Sequence, residues 1–79
     1  MKLEIIAIDK SIFTGSITQI TVPGSGGSFQ ILLDHAPMIS TLTSGKIVYM
    51  QEDAIAHELD IQQGFISIKD NQIVILYCA

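Results

Sequence analysis

The sequence predicts an all-β fold, a small antiparallel β-sandwich of about eight to ten short strands. Short apolar runs alternate with turn residues about every 8–12 positions, the spacing of a sandwich or barrel. No segment sustains a 3.6-residue period. One stretch alternates cleanly: Ile55, His57, Leu59 and Ile61 share one face, and Ala56, Glu58 and Asp60 the other.

Lys2 to Ile8 is rich in isoleucine and apolar on both sides, as a strand covered on both faces would be. Asp9, Lys10 and Ser11 break it. Ser16 to Val22 reads as the next strand, ending at Pro23 and Gly24, which extend a ladder poorly. The loop Gly24-Ser25-Gly26-Gly27 leads into a strand from Phe29 to Leu33, closed by Asp34-His35-Ala36-Pro37. Met38 to Thr43 resumes, stops at Ser44-Gly45, and continues as Lys46 to Met50. After the alternating stretch, Gln62-Gln63-Gly64 turns the chain into Phe65 to Lys69. Asp70-Asn71 supplies a tight hairpin turn, since both residues tolerate left-handed backbone, and Ile73 to Cys78 closes the fold. No repeat, linker or low-complexity tract divides residues 1–79, so one domain is expected.

A domain of 79 residues buries only about 60% of its unfolded surface or a little more. With 48% hydrophobic and 15% charged residues, such a chain either packs very completely or leans on a partner. Its net charge of −4 argues against nucleic acid, whose binders cluster Lys and Arg against phosphates. Cys78 is the only cysteine, so no internal disulfide is available and a reducing compartment fits. The run from Leu3 to Ile8 is far shorter than the roughly 20 residues of a spanning helix. A chain soluble by itself is expected, with any membrane residence through a partner.

Four features invite chemistry. The glycine loop at 24–27 resembles a phosphate cradle, yet no Lys-Ser or Lys-Thr follows it and a strand comes next in place of a helix. Asp34 and His35, with Ser40 nearby, suggest a hydrolase triad, but adjacent strand residues point to opposite faces and Asp34 would not orient His35. His57 stands alone on an apolar face with no second ligand at metal spacing, which favours a structural or interface role. Asp9-Lys10-Ser11 is an Asp-Lys pair at a turn, as in lipoyl- or biotinyl-type carrier domains modified on lysine. The carrier lysine sits near mid-chain, whereas Lys10 lies at the first turn.

Phe13 and Gly15, Val22-Pro23-Gly24 and Gly27, Ile31-Leu32, and His35-Ala36-Pro37 follow one another in a distinctive order. Leu42, Gly45, Gly64-Phe65, Asn71 and Ile73-Val74-Ile75-Leu76 extend it. In this the chain resembles the N-terminal β-sandwich of the F-type ATP synthase epsilon subunit, from Phe13 to Leu76. The same glycines read as turn or bend positions.

The resemblance implies a non-catalytic rotor subunit with no cofactor, docking on the gamma subunit and the c-ring. It would sit peripherally at the cytoplasmic face of the bacterial inner membrane. It places Gly26, Gly27, Ser28 and His35 toward the c-ring and Met38, Ile39 and Ser40 toward gamma. Ser28 stands where relatives often have an acid, Leu33 where they often have proline, and Gln63 replaces the first of a usual glycine pair. A less electrostatic c-ring contact is therefore expected. Many bacterial relatives continue into a helical hairpin that restrains ATP hydrolysis. The sequence stops at Ala79, so a coupling part without that brake is the expectation.

Overall fold

A computed structural model describes residues 1–78; Ala79, the last residue of the expected domain, lies outside them. They form nine strands, β1 (Lys2–Ala7), β2 (Lys10–Ser16), β3 (Gln19–Gly24), β4 (Gly27–Ile31), β5 (Met38–Leu42), β6 (Gly45–Met50), β7 (Ala56–Ile61), β8 (Gln63–Lys69) and β9 (Gln72–Cys78). The hydrogen-bonded order is β2-β1-β9-β8-β5-β3-β6-β7, with β4 on β3. The first five make one layer. β4, β3, β6 and β7 make the other, and the two join at a single pair, Gly24 opposite Leu42. All pairings are antiparallel except β1 with β9, which run parallel.

Isoleucine fills the space between the layers. In the first layer Leu3, Ile73 and Ile68 form one inward row, and Ile5, Ile75 and Ile66 the next. In the second, Ile31, Ile20, Tyr49 and His57 form an inward row. Branched side chains suit a pleated surface, where their stiff χ1 costs little and they fill the gap between sheets. The Phe13 ring lies 4.7 Å from that of Tyr49, tilted by 42°, and Tyr49 stacks on the His57 ring at 5.2 Å with an interplanar angle of 16°. His57 is thus part of the inner face, its buried Nε2 unpartnered among the described residues.

Five features differ from expectation. Lys10 and Ser11, read as part of a break, open a strand not expected there, β2, after a two-residue turn at Ile8 and Asp9; a bulge between Ile5 and Ile6 hides the alternation of this pair. Ile17 and Thr18 interrupt the expected strand 16–22, while Pro23 and Gly24 remain inside β3, paired with Ser28 and Gly27. The proline keeps its place because its carbonyl, not an N–H, is used, accepting from Thr43 N at 2.8 Å. The strand from Phe29 stops at Ile31, because Asp34 adopts φ 65° and Leu32 and Leu33 fall into the turn. Ile55 precedes β7 and is 60% exposed, so the inward face there is His57, Leu59 and Ile61.

The fifth concerns Gly64, which lies inside β8 rather than in a turn. A Cβ there would sit 2.6 Å from the Leu76 carbonyl oxygen and 3.2 Å from Tyr77 Cα, so the constraint is space between two backbones. Asp70 and Asn71 make the expected tight turn, with φ of 52° and 60°.

Gly64→Ala is expected to lower unfolding free energy by about 1–3 kcal/mol, the cost of overpacking a close-packed interior, read as a lower urea midpoint; an unchanged midpoint contradicts the close approach. Stability is also expected to fall on the alkaline side. Burial holds the Tyr49 phenol above its ordinary value, and Lys46 is raised by its hydrogen bond and charge contact with Asp60 and then by Glu58. A group raised on folding stabilises below its unfolded pKa and ceases to as pH climbs through the folded one. The melting temperature should drop above about pH 10, less steeply in Tyr49→Phe.

Candidate functional site

The strands with apolar residues on both faces need cover on both, and this fold supplies it on one. In β8 and β9 the inward residues Ile66, Ile68, Ile73, Ile75 and Tyr77 are buried. Their alternates point outward from the first layer. One outward row runs Ile6, Leu76, Phe65, Thr41, and the next Glu4, Val74, Ser67, Ile39. Phe65 is 57% exposed, Leu76 47% and Ile39 80%. Ile8 lies beyond them at the same end as Phe65, and an open groove of about 450 Å³ runs past Ile8, Phe65, Leu76 and Tyr77.

The outer face of the second layer is built differently. Its central row is Gln30, Thr21, Val48, Glu58. Gln30 Nε2 donates to Gln19 Oε1 at 3.1 Å, and Gln19 Nε2 donates to Met50 Sδ. Lys46 Nζ lies 3.1 Å from Asp60 and 3.5 Å from Glu58. That face satisfies its own polar groups and is suited to water. The first layer's outer face presents a contiguous apolar surface with nothing over it, the usual mark of an interaction site.

The expected site residues distribute unevenly over this frame. Of Met38, Ile39 and Ser40, only Ile39 points outward. Met38 packs against the core, and Ser40, two residues from buried Leu42, shares its inward side, opposite Ile66. Gly26, Gly27 and Ser28 lie at the tip and start of the β3–β4 hairpin, beside Thr41. His35 lies past the other end of β4. With β4 between them, His35 and Gly27 are about 13 Å or more apart.

His35 is held by a device the sequence did not disclose. Asp34 N donates to Asn71 Oδ1 at 2.7 Å, and Asn71 Nδ2 donates to Asp34 Oδ1 at 3.0 Å. The Asn71 carbonyl also accepts from Lys2 N at 2.9 Å. One turn residue therefore ties the β4–β5 loop, the β8–β9 hairpin and the start of β1 together. The reciprocal side chains stand 37 positions apart, a pairing that only the folded register creates.

The catalytic alternatives lose their geometry. The Asp34 carboxylate is engaged by Asn71, His35 Nδ1 by the Ala36 carbonyl at 2.8 Å, and Ser40 Oγ donates to the Thr41 carbonyl. The glycine loop leads into β4, a strand, and its Ser25 N–H is spent on the Thr41 carbonyl at 3.2 Å. No group of three metal-binding side chains occurs among the described residues. Lys10 opens β2 after the turn tip at Ile8 and Asp9.

Residues 1–78 match the family model described as ATP synthase, Delta/Epsilon chain, beta-sandwich domain. The chain is 35% identical over 75 residues to the ATP synthase epsilon chain of Chlorobium limicola, covering 95% of itself and 85% of that protein. It is 38% identical over 76 residues to the epsilon chain of a Leptospira interrogans strain, covering 96% of itself and 59% of that longer protein. Among solved structures, a chain in the Euglena gracilis mitochondrial ATP synthase superposes with a TM-score of 0.89 at 21% identity, over 95% of this chain and 48% of that one. A chain in the Tetrahymena thermophila mitochondrial ATP synthase central stalk and c-ring gives 0.81 at 15% identity, over 99% and 63%. These two show the same fold.

Asn71→Gly keeps the left-handed turn and removes the two side-chain bonds, for an expected loss of about 1–2 kcal/mol. Asn71→Ala adds the strain of positive φ, roughly another 1 kcal/mol. Urea unfolding of the pair checks both; equal midpoints for parent and Asn71→Gly would deny the clamp.

Proposed function

This chain belongs to the ATP synthase delta/epsilon-chain β-sandwich family, and from that premise we propose that it is a non-catalytic part of the rotor, fixing the gamma subunit to the c-ring. The observation that carries the reading is the uncovered apolar face of the first layer. Phe65, Leu76, Ile6 and Ile39 give gamma an apolar surface whose burial supplies non-directional binding energy, about 25 cal/mol per Å² before the costs of association. Ile39 belongs to this surface directly; Met38 supports it from beneath, and Ser40 faces the same inner side. The relative in the Tetrahymena central stalk and c-ring assembly fits such a place.

For the c-ring we propose contact along the free edge of β4. Gly26, Gly27 and Ser28 mark one end of that edge and His35 lies beyond the other, so one partner meets both sets only by lying alongside the strand. Uncharged Ser28 leaves this contact to shape and hydrogen bonds. Membrane association then comes through the complex, at its cytoplasmic face, and on this reading the chain makes and breaks no bond.

The test is binding to the catalytic head carrying gamma. Phe65→Asp and Ile39→Asp are expected to weaken association more than tenfold while the isolated chain keeps its melting temperature within a few degrees, because both side chains are already in water. Met38→Asp should instead unfold the chain, since Met38 packs on the core. Parent-like affinity in Phe65→Asp would remove the first layer's outer face from the interface.

A further inference from the structure

Resting on the c-ring contact proposed above, we infer that His35 meets the c-ring as a hydrogen-bond acceptor through Nε2, that Asn71 positions it there, and that the partner presents a donor at this point. The first observation is the partner of Nδ1. It lies 2.8 Å from the Ala36 carbonyl oxygen, and a carbonyl only accepts, so the ring proton sits on Nδ1. The neutral imidazole then carries a bare lone pair on Nε2. That atom has no partner among the described residues, and the only buried side-chain nitrogen or oxygen without one is His57 Nε2. His35 Nε2, on a half-buried ring, therefore keeps its access to solvent.

The ring stands beside a hollow of about 250 Å³ lined by Asp34, His35, Ala36, Pro37, Asp70 and Asn71. The side-chain groups left unspent there are mostly acceptors: besides Nε2, the Asp70 carboxylate and the second oxygen of Asp34. The Asn71 amide oxygen accepts from Asp34 N and one of its N–H groups goes to Asp34 Oδ1, which leaves one N–H as the sole side-chain donor. Lys2 and Lys69 stand against Glu4, Asp34 and Asp70 at this end of the molecule, with Lys69 and Asp70 sharing the neighbouring outward hollow. Charges there nearly cancel, so hydrogen bonding sets the chemistry of the contact. The direction of Nε2 is fixed from the other hairpin. Asp34, directly before His35, holds φ 65°, an uncommon conformation for a residue with a side chain, and both its N–H and its carboxylate are tied to Asn71. His35 N donates in turn to the Leu32 carbonyl at 3.2 Å. Without Asn71, Asp34 is free to leave the left-handed region and the ring moves with it. Asn71 is thus a positioning residue.

The experiment has two arms, both on the full chain. Nitrogen–proton NMR spectra of the histidine rings at about pH 8.5, where imidazole is neutral, read the tautomer. His35 is expected to be protonated on Nδ1 in the parent and in the exchanged pair Asp34→Asn with Asn71→Asp, which retains both bonds with donor and acceptor reversed and tolerates the left-handed backbone. Asn71→Gly should mix the two tautomers. The second arm seats the chain on the gamma-containing catalytic head and measures affinity for the detergent-solubilised c-ring. His35→Asn, whose shorter amide stops where Nδ1 stands, should bind the c-ring about five- to tenfold more weakly, the worth of one hydrogen bond. His35→Gln, whose amide oxygen reaches the place of Nε2, should regain most of this. Asn71→Gly should lose as much as His35→Asn, the exchanged pair should lose none, and all should hold gamma like the parent. An Nε2-protonated His35, parent-like c-ring affinity in His35→Asn, or equal losses of gamma and c-ring binding in Asn71→Gly overturns the inference and leaves c-ring docking standing. A parent chain that adds nothing to the head's hold on the c-ring overturns the docking role and the inference together.

Discussion

Register is the constraint on which the other features rest. β9 is apolar on both faces, so a slip by one residue would exchange Ile73, Ile75 and Tyr77 for Val74, Leu76 and Cys78, and hydrophobic burial alone would resist this weakly. Three local contacts hold it instead. The two-residue turn at Asp70 and Asn71 fixes Lys69 opposite Gln72. Gly64 admits the backbone of Leu76 and Tyr77 where any side chain would collide. Lys2 N donates to the Asn71 carbonyl and sets β1 against the same strand. With β9 so placed, the isoleucine rows align inward and Phe65, Leu76 and Ile6 necessarily align outward.

The apolar outer face is then a by-product of the same strands that make the core. A small sandwich has two outer faces and one interior, and its central strands here are written for burial on both sides. The second layer escapes the problem with glutamines, threonines and an ion-paired lysine on its outside. The difference between the two layers, rather than any cleft or cluster of titratable groups, sets the surface proposed for docking apart from one suited to water.

Much of this was legible in the residues. Strands with β-branched runs, the Asp-Asn turn and the alternation through β7 follow from local rules, while the order of glycines and His-Ala-Pro carries the family resemblance. What was not legible required long-range pairing. β2 was missed because a bulge disturbs its alternation and because Asp9-Lys10-Ser11 looks like a longer loop than it is. Pro23 reads as a terminator unless one knows which of its edges faces Thr43. The inward turn of Met38 and Ser40 depends on the register of β5 with β8, and the clamp between Asp34 and Asn71 on a meeting of two distant loops. The apolar face did leave a trace: Lys2 to Ile8 reads as apolar on both sides and so as covered on both, whereas among the described residues only Leu3 and Ile5 of β1 are buried and its other side lies open.

The parallel pairing of β1 with β9 has a mechanical side. The two strands lie side by side at the middle of the first layer, joined through six residue pairs from Lys2 with Gln72 to Ala7 with Tyr77. Tension applied between the beginning of β1 and the end of β9 draws parallel neighbours past each other in opposite directions. The load then falls on the whole ladder in shear, and its bonds must fail together rather than one after another as in an unzipped hairpin. A sandwich wired in this way resists being pulled apart between the start of β1 and the end of β9, a property that would suit the rotor role proposed above.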